Sequence, residues 1–592
     1  MTYRWIERLL SNPEAVGGMQ SDLNKLDAAL ARSLVLRGVD SVDKARRFFR
    51  PHIEFQHDPF LMTDMDRASE RLAAAVRSRE AVLVYGDYDV DGTTSTALLT
   101  LFLRERGVPV TYFVPHRIEH GYGLSTAGID VAAENGATLL VALDCGVTAV
   151  DEAAYARKKG IDVIICDHHS VKNELPDAFA VLDPKRPDCS YPFTELSGCG
   201  IGYKLVCAVL QQLGDGQEAA ARLLDLVALS IASDIVPLDG ENRILMQEGL
   251  NRIRRQPRIG IRALAASAGT NLAECSTRGI VFSLGPRINA AGRLGDAGRA
   301  VELLLTDDEA TARAVASTLE ETNDRRRSID RDTAEAAVQM VAELFGDDPG
   351  PGIVLHDGNW HPGVVGIVAS RIVERFSRPT ILLTTVNGLA KGSARSIPGI
   401  NILDAIADCG DLLIEYGGHD HAAGLSILPE RIPEFTDRFR DAVASRATKD
   451  IFVPAIEYDA HLSLGSIDPR FWAVLRQFAP HGPSNEHPVF RTGDLRVLGT
   501  PRNVGNDETH VKFVVRQSGG RPMEVIGFGL GERLAVLENS RREGKTVEML
   551  FSIDEHVWNG RRSLQLQARD IRCQDAVRGR SHAAEPATSS AS

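Results

Sequence analysis

Between residues 80 and 235, short apolar runs alternate with helix-like stretches: "AVLVYG", "TLLVALD", "IDVIICD" and "AFAVLD" are each followed by small or polar residues. Unbroken apolar runs of this length suit strands buried on both faces, and their alternation with helices dictates a parallel sheet covered on both sides. The runs end in charge. "YGDYDVDG" (85–92) sets Asp87, Asp89 and Asp91 one residue apart, "LDCG" supplies Asp144, and "CDHH" supplies Asp167, His168 and His169. The helix-like "LLDLVALSIASD" stops at Asp234. Carboxylates crowded at the edge of a core repel one another and lose hydration. A cation between them resolves both costs.

In a doubly wound sheet the carboxyl ends of neighbouring strands line one crevice, so these residues can converge although they lie far apart in the chain. Carboxylate oxygens with an imidazole suit Mn²⁺ or Mg²⁺ and need no thiolate. Two such ions about 3.5–4 Å apart clamp an in-line phosphoryl displacement. Taken singly, each aspartate is equally well read as the N-cap of the following helix, and the histidines as a surface pair. Four such positions in one strand–helix region favour a shared pocket.

A chain of 592 residues exceeds one core, and three to five domains are expected. The sequence holds no run of about 18 apolar residues, and its start lacks a basic head and apolar core, so neither a membrane span nor a signal peptide is expected. Eight scattered cysteines point to reduced thiols, a cytoplasmic protein and no zinc site. The net charge of −13 does not exclude nucleic acid, because phosphate contacts need a local basic surface rather than a basic total.

Residues 1–70 read as a helical segment and 71–240 as the α/β region. Within a helical region over 241–346, the stretch 306–345 contains no glycine or proline and opens with a capping box, Thr306 and Glu309. It predicts one helix of about 40 residues, roughly 60 Å long, whose polar middle suits a bridge between two lobes. "DDPGPG" begins a second α/β region, 347–445. From 455 to 575, short alternating runs such as "HVKFVV", "MEVIGFGL" and "TVEMLFSI" predict a small β-barrel or sandwich. Residues 576–592 are small and polar and are expected to be disordered.

"GDYDVDG", "DCG", "DHH" and "ASDIVPL", in this order and at these intervals, resemble the acidic motifs of the DHH phosphoesterase family. "GPRINAAGRLGDA" (285–297), "YGGHDHAAG" (416–424) and "DPFLMTDMDRA" (58–68) narrow the resemblance to RecJ-type single-strand-specific 5′→3′ DNA exonucleases, over about residues 30–572. The fold implied is α/β: two lobes, DHH and DHH-associated, joined by a long helix, with a C-terminal β-barrel of the OB type. The resemblance implies that Asp87, Asp89, Asp91, Asp144, His168 and Asp234 hold two ions, Mn²⁺ or Mg²⁺, with His169 beside them in acid–base or water-orienting work. Among the first three, Asp89 and Asp91 are favoured as direct ligands, and Asp87 as a ligand or one step behind.

Groups for the substrate phosphate and DNA are expected in Arg287 and Arg293, whose guanidinium forks match phosphate, in Ser393, Arg395 and Ser396 of "KGSARS", and in His419. His361 lies where a loop enters a helix, a ready anion site, and Arg326 is on the long helix. The competing reading makes "GPRINAAGR" a loop whose arginines pair with the acidic helix nearby. "RIRRQPRIGIR" (252–262) is either a DNA track or a solvated face. Residues 491–575 hold 14 Lys and Arg against 12 Asp and Glu, a relative basic excess that suits a single-strand groove. Phe513, Phe528 and Trp558 are candidate stacking rings, with core packing the stronger reading for Phe513. "FAPHGPSNEHPVF" (478–490) departs from the RecJ-type pattern at His481, Ser484 and Glu486, which puts local DNA contacts there in doubt.

The leading expectation is a monomeric exonuclease of single-stranded DNA releasing mononucleotides in DNA repair and recombination. The resemblance extends to a single-strand-binding protein and a recombination helicase as partners, for which no motif is readable. Alternatives are a phosphoesterase of short oligonucleotides, cyclic dinucleotides or pyrophosphate, against which the long helix and barrel argue, and a non-catalytic scaffold, against which the complete acidic set argues.

Overall fold

The computed structural model describes residues 3–574 apart from 118, 122, 172, 173, 347, 449, 559 and 560; the side chains of 557, 558 and 561 are not described. Trp558 as a stacking ring and the tail 576–592 therefore lie outside the described residues. The chain forms two units. One comprises Pro51–Val453 with Pro480–Asn485, the other Met1–Arg50, Pro454–Ala479 and Glu486–Ser592.

In the first unit, five parallel strands lie in the order Val110–Phe113, Val82–Gly86, Leu139–Leu143, Asp162–Cys166 and Ala180–Leu182. "VLVYG" and "LLVAL" are buried throughout, as expected of strands covered on both faces. Val82, Val84, Leu139 and Val141 face one helix layer, and Leu83, Tyr85, Leu140 and Ala142 the other. The order reverses between Val82–Gly86 and Leu139–Leu143, and this switch point opens a crevice at their carboxyl ends.

The long helix runs Glu309–Phe345, 37 residues and about 55 Å. The expected Thr306–Glu309 box does not form. Asp308 is the N-cap, its carboxylate accepting from Thr311 N at 2.6 Å, and Thr306 Oγ1 accepts from Asp308 N. "GPRINAAGR" is not a loop but most of a helix, Gly285–Leu294. The long helix packs its first half on this helix and on Ile259–Ser267, and its far end on a second sheet. That sheet has the order Leu413–Gly418, Ala422–Ile427, Leu389–Arg395, Thr380–Val386, Ile353–His356, parallel only in the last pair. Helix Val365–Phe376 covers one face, and helices Ile402–Ala407 and Ile432–Arg446 the other.

In the second unit, five strands (Phe490–Val504, His510–Gln517, Met523–Gly527, Arg561–Cys573 and Val547–Trp558) form a barrel, closed by pairing Phe490–Leu495 with Val547–Phe551. The first fifty residues belong here. Strand Arg4–Glu7 pairs in parallel with Ala455–Tyr458, and Leu30, Leu34 and Phe48 share one core with Phe490, Phe513 and Phe551. Phe513 is thus core, while Phe528 is 59% exposed.

Candidate metal centre and anion pocket

Strand Val82–Gly86 delivers Asp87 into the crevice, and helix Val90–Glu105 starts at once. Asp89 caps it, accepting from Gly92 N at 3.0 Å, while Asn289 Oδ1 of helix Gly285–Leu294 accepts from Val90 N. The turn is so tight that a Cβ on Gly92 would lie 2.3 Å from the Asp87 backbone, which requires glycine. Asp91, in the first turn of this helix, accepts from Gly198 N and Cys199 N at 2.7 Å and from Ser230 Oγ at 2.8 Å. It neutralises the N-terminus of helix Gly198–Gln212.

Asp144 follows the neighbouring strand in a left-handed conformation, φ +61, with its N–H donating to Cys166 O. Asp167 accepts from Val147 N, His168 N and His169 N and pairs with His169 Nδ1 at 2.7 Å, so it shapes the "DHH" turn. Asp234 caps the end of helix Leu224–Ser233. Ile235 comes next with φ +61, a conformation that costs an L-residue roughly 1–2 kcal/mol.

These positions converge. His168 Nε2 lies 3.2 Å from Asp144 Oδ1, 3.5 Å from Asp234 Oδ2 and 3.9 Å from Asp91 Oδ2. Three sets bring ligand atoms within 4.8 Å of one another: Asp87–Asp89–Asp144, Asp91–His168–Asp234 and Asp144–His168–His169. All seven acidic-centre residues expected from the sequence are therefore in one pocket, with Asp144 and His168 each common to two sets. Within the first motif, all three aspartates belong to a candidate ligand set. Asp91 has both oxygens hydrogen-bonded, whereas Asp87 Oδ1 is buried without a partner.

Burial, then the neighbouring carboxylates, raises Asp87, Asp144 and Asp234 well above the carboxylate range, and raises Asp89 as well. Burial lowers His168 to about 4. Burial alone would also lower His169, but the Asp167 hydrogen bond and charge lift it to about 9. For Asp167 burial works upward and is outweighed by His169 and the Val147 amide, leaving it at about 2. Both ring nitrogens of His168 are buried without a hydrogen bond. Orphaned nitrogens, an orphaned oxygen and uncompensated carboxylates together fit divalent cations.

A second cluster, of basic groups, lines a cavity of about 630 Å³: Arg117, Arg293, Lys391 and Arg395, with Ser393 and His419 beside them. Arg395 donates to Ser393 Oγ at 2.9 Å, and Arg293 to Gly363 O at 3.1 Å. Burial, then Arg117 and Arg326, lowers Arg293 to about 10; burial, then Arg117, lowers Arg395. Two guanidiniums, Arg293 and Arg395, thus lose hydration close to a third, the exposed Arg117, with the opposite sign to the acidic crevice. A Cβ on Gly366 would lie 2.9 Å from Ser393 Oγ, so glycine keeps this wall open.

Four expected phosphate or DNA groups do not line this cavity. Arg287 is buried in a two-pronged ion pair with Glu320 of the long helix and also donates to Ser283 O; this is the helix-pairing role read as its alternative. Arg326 donates to Asn323 Oδ1 and sits 3.6 Å from Asp330. Ser396 Oγ donates to Ile400 O, closing a turn. His361 Nδ1 accepts from Gly363 N. The basic run 252–262 is largely tied internally, Arg258 to Asp225, Arg262 to Glu309 and Arg254 to Cys275 O. Sequence reasoning missed Arg117, whose guanidinium lies over the Tyr88 ring at 5.0 Å, and Asn289. No spacing marks Arg117, since it lies in the loop that follows the edge strand Val110–Phe113.

Family models for the DHH family N-terminal domain, the DHHA1 domain and the RecJ OB domain match residues 81–231, 340–445 and 458–570. The single-stranded-DNA-specific exonuclease RecJ of Dickeya dadantii is 37% identical over 562 residues, 92% of this chain and 96% of that one. The chain belongs to the RecJ family. The crystal structure of RecJ from Thermus thermophilus in complex with Mn²⁺ superposes with a TM-score of 0.80 at 29% identity, covering 97% of this chain and 80% of that one. The Mg²⁺ complex of the same RecJ superposes with a TM-score of 0.75 at 28% identity over 97% and 79%. The RecJ assignment accounts for both lobes and for the barrel.

Proposed function

We propose that the chain is an exonuclease specific for single-stranded DNA, working 5′→3′ and releasing mononucleotides with two divalent cations, Mn²⁺ or Mg²⁺. The observation that carries this is the sharing of Asp144 and His168 between ligand sets, with Asp87 Oδ1 and both His168 nitrogens buried without a hydrogen bond. Asp87, Asp89, Asp91, Asp144, His168 and Asp234 would hold the ions. Bound there, the ions supply a hydroxide nucleophile and stabilise charge at the phosphorus. Asp167 pairs with His169 Nδ1 at 2.7 Å and so holds this ring's orientation beside the crevice. Arg117, Arg293, Ser393, Arg395 and His419 bind the terminal phosphate and so set which end is consumed.

In this reading residues 71–240 cleave, 347–445 anchor the end, and the 455–575 barrel holds the strand. The setting is a monomer in the cytoplasm, acting with a single-strand-binding protein and a recombination helicase in repair. No helix among the described residues is long and apolar enough to cross a membrane. The test is Mn²⁺-dependent release of mononucleotides from a 5′-phosphorylated single strand, against duplex and dinucleotide controls. Asp89→Ala should lose at least about a hundredfold in rate. Equal rates for the two proteins, or a preference for the dinucleotide, overturn the proposal.

A further inference from the structure

The residue after the C-cap of a helix favours glycine, because glycine alone enters the left-handed region without its Cβ crowding the backbone. Ile235 occupies that position after helix Leu224–Ser233, with φ +61. The other described non-glycine residues with positive φ are Asn, Asp, Ser, Lys, Arg or Glu; Ile235 is the β-branched one among them. Its side chain is 63% exposed, so packing does not compensate the strain. A glycine would give the same backbone course at no conformational cost. The chain instead holds an apolar branched group in water next to Asp234, whose Oδ2 is 3.5 Å from His168 Nε2. Backbone strain retained beside a reacting centre marks a side chain in use.

We propose that Ile235 is a positioning residue that packs on the face of the nucleobase flanking the bond to be cut. This rests on the exonuclease reading above. The charged groups of the crevice and of the basic cavity engage phosphate, and the apolar lining of that cavity, Pro362, Val365 and Val386, comes from the second sheet's region, whereas Ile235 adjoins the acidic centre directly. An isoleucine edge contacts any base, which suits cleavage without sequence preference. It fixes the nucleotide by shape and apolar contact while the phosphates are held elsewhere.

The test compares wild type, Ile235→Gly, Ile235→Asn and Ile235→Val on two 5′-phosphorylated single strands. One is ordinary; the other carries abasic units at its first two positions. Ile235→Gly and Ile235→Asn, which tolerate the left-handed backbone, should raise KM on the ordinary strand about fivefold with kcat changed less than twofold. That KM penalty should vanish on the abasic strand, and Ile235→Val should behave as wild type. Melting temperature and Mn²⁺ affinity by calorimetry should be unchanged or higher in Ile235→Gly. Equal KM for Ile235→Gly and wild type on the ordinary strand, an undiminished penalty on the abasic strand, or a weakened Mn²⁺ affinity each overturns the inference. A wild type that leaves the ordinary strand intact removes the exonuclease reading itself, an outcome distinct from any difference among variants.

Discussion

The acidic crevice and the basic cavity solve the same electrostatic problem with opposite sign. Each gathers like charges, the acids largely buried, the cations half-buried at Arg293 and Arg395 and exposed at Arg117 and Lys391. They differ in how they are built. The acids sit on short side chains at the ends of successive strands and one helix, so backbone geometry alone places them. The cations come from three separated segments, a loop at Arg117, a helix at Arg293 and a strand at Lys391–Arg395, on long side chains that choose among partners. Arg287 and Arg293 lie less than two turns apart on one helix, yet Glu320 claims the first and the cavity keeps the second.

The largest effect should come from the shared acid. Asp144→Asn is expected to abolish measurable Mn²⁺ binding in calorimetry and lower cleavage by about a thousandfold. In chelator it should melt no lower than wild type, because the change relieves buried repulsion. A lower melting temperature in chelator would show that Asp144 is a structural group.

On the basic side, Arg395→Ala should raise KM about tenfold for a 5′-phosphorylated strand. It should matter much less for a 5′-hydroxyl strand. Equal penalties on both would place the terminal phosphate elsewhere.

Arg287→Ala should break the symmetry between the two arginines of the helix. It leaves Glu320 without its partner, and should cost about 3 kcal/mol in urea unfolding with little change in KM. A selective rise in KM would return Arg287 to the phosphate.

The smallest effect concerns protons. His169 is raised to about 9, so the stability it contributes is complete below its ordinary value near 6.5 and is lost as pH rises through 9. Metal-free protein should therefore melt a few degrees higher at pH 7 than at pH 9. His169→Gln should flatten that slope; an unchanged slope would assign it to the raised carboxyls.

The acidic centre was legible because charge at the end of a buried apolar run has few structural alternatives. Asp167 shows the limit of that reading: it was seen in the same motif, but its four hydrogen bonds around the "DHH" turn depend on backbone geometry that no spacing encodes. The long helix was legible from its lack of glycine and proline, whereas its start shifted because Asp308 outcompetes Thr306 for the free amides. "GPRINAAGR" misled through its glycines. They serve close helix packing rather than a loop, since a Cβ on Gly292 would lie 2.3 Å from Tyr88 O. Arg117 was invisible, because a cation–ring contact between distant segments leaves no local pattern.

The joint core of the first fifty residues and the barrel has a consequence for biosynthesis. Leu30, Leu34 and Phe48 are made roughly 440 residues before the first of the strands Phe490–Val504, His510–Gln517 and Val547–Trp558 that cover them. At about 5–20 residues per second the wait is on the order of half a minute or longer. During that interval the leading helices present greasy faces to solvent, so holdase chaperones should engage the nascent chain there. A premature stop codon anywhere before the barrel would strand the N-terminus in that sticky state.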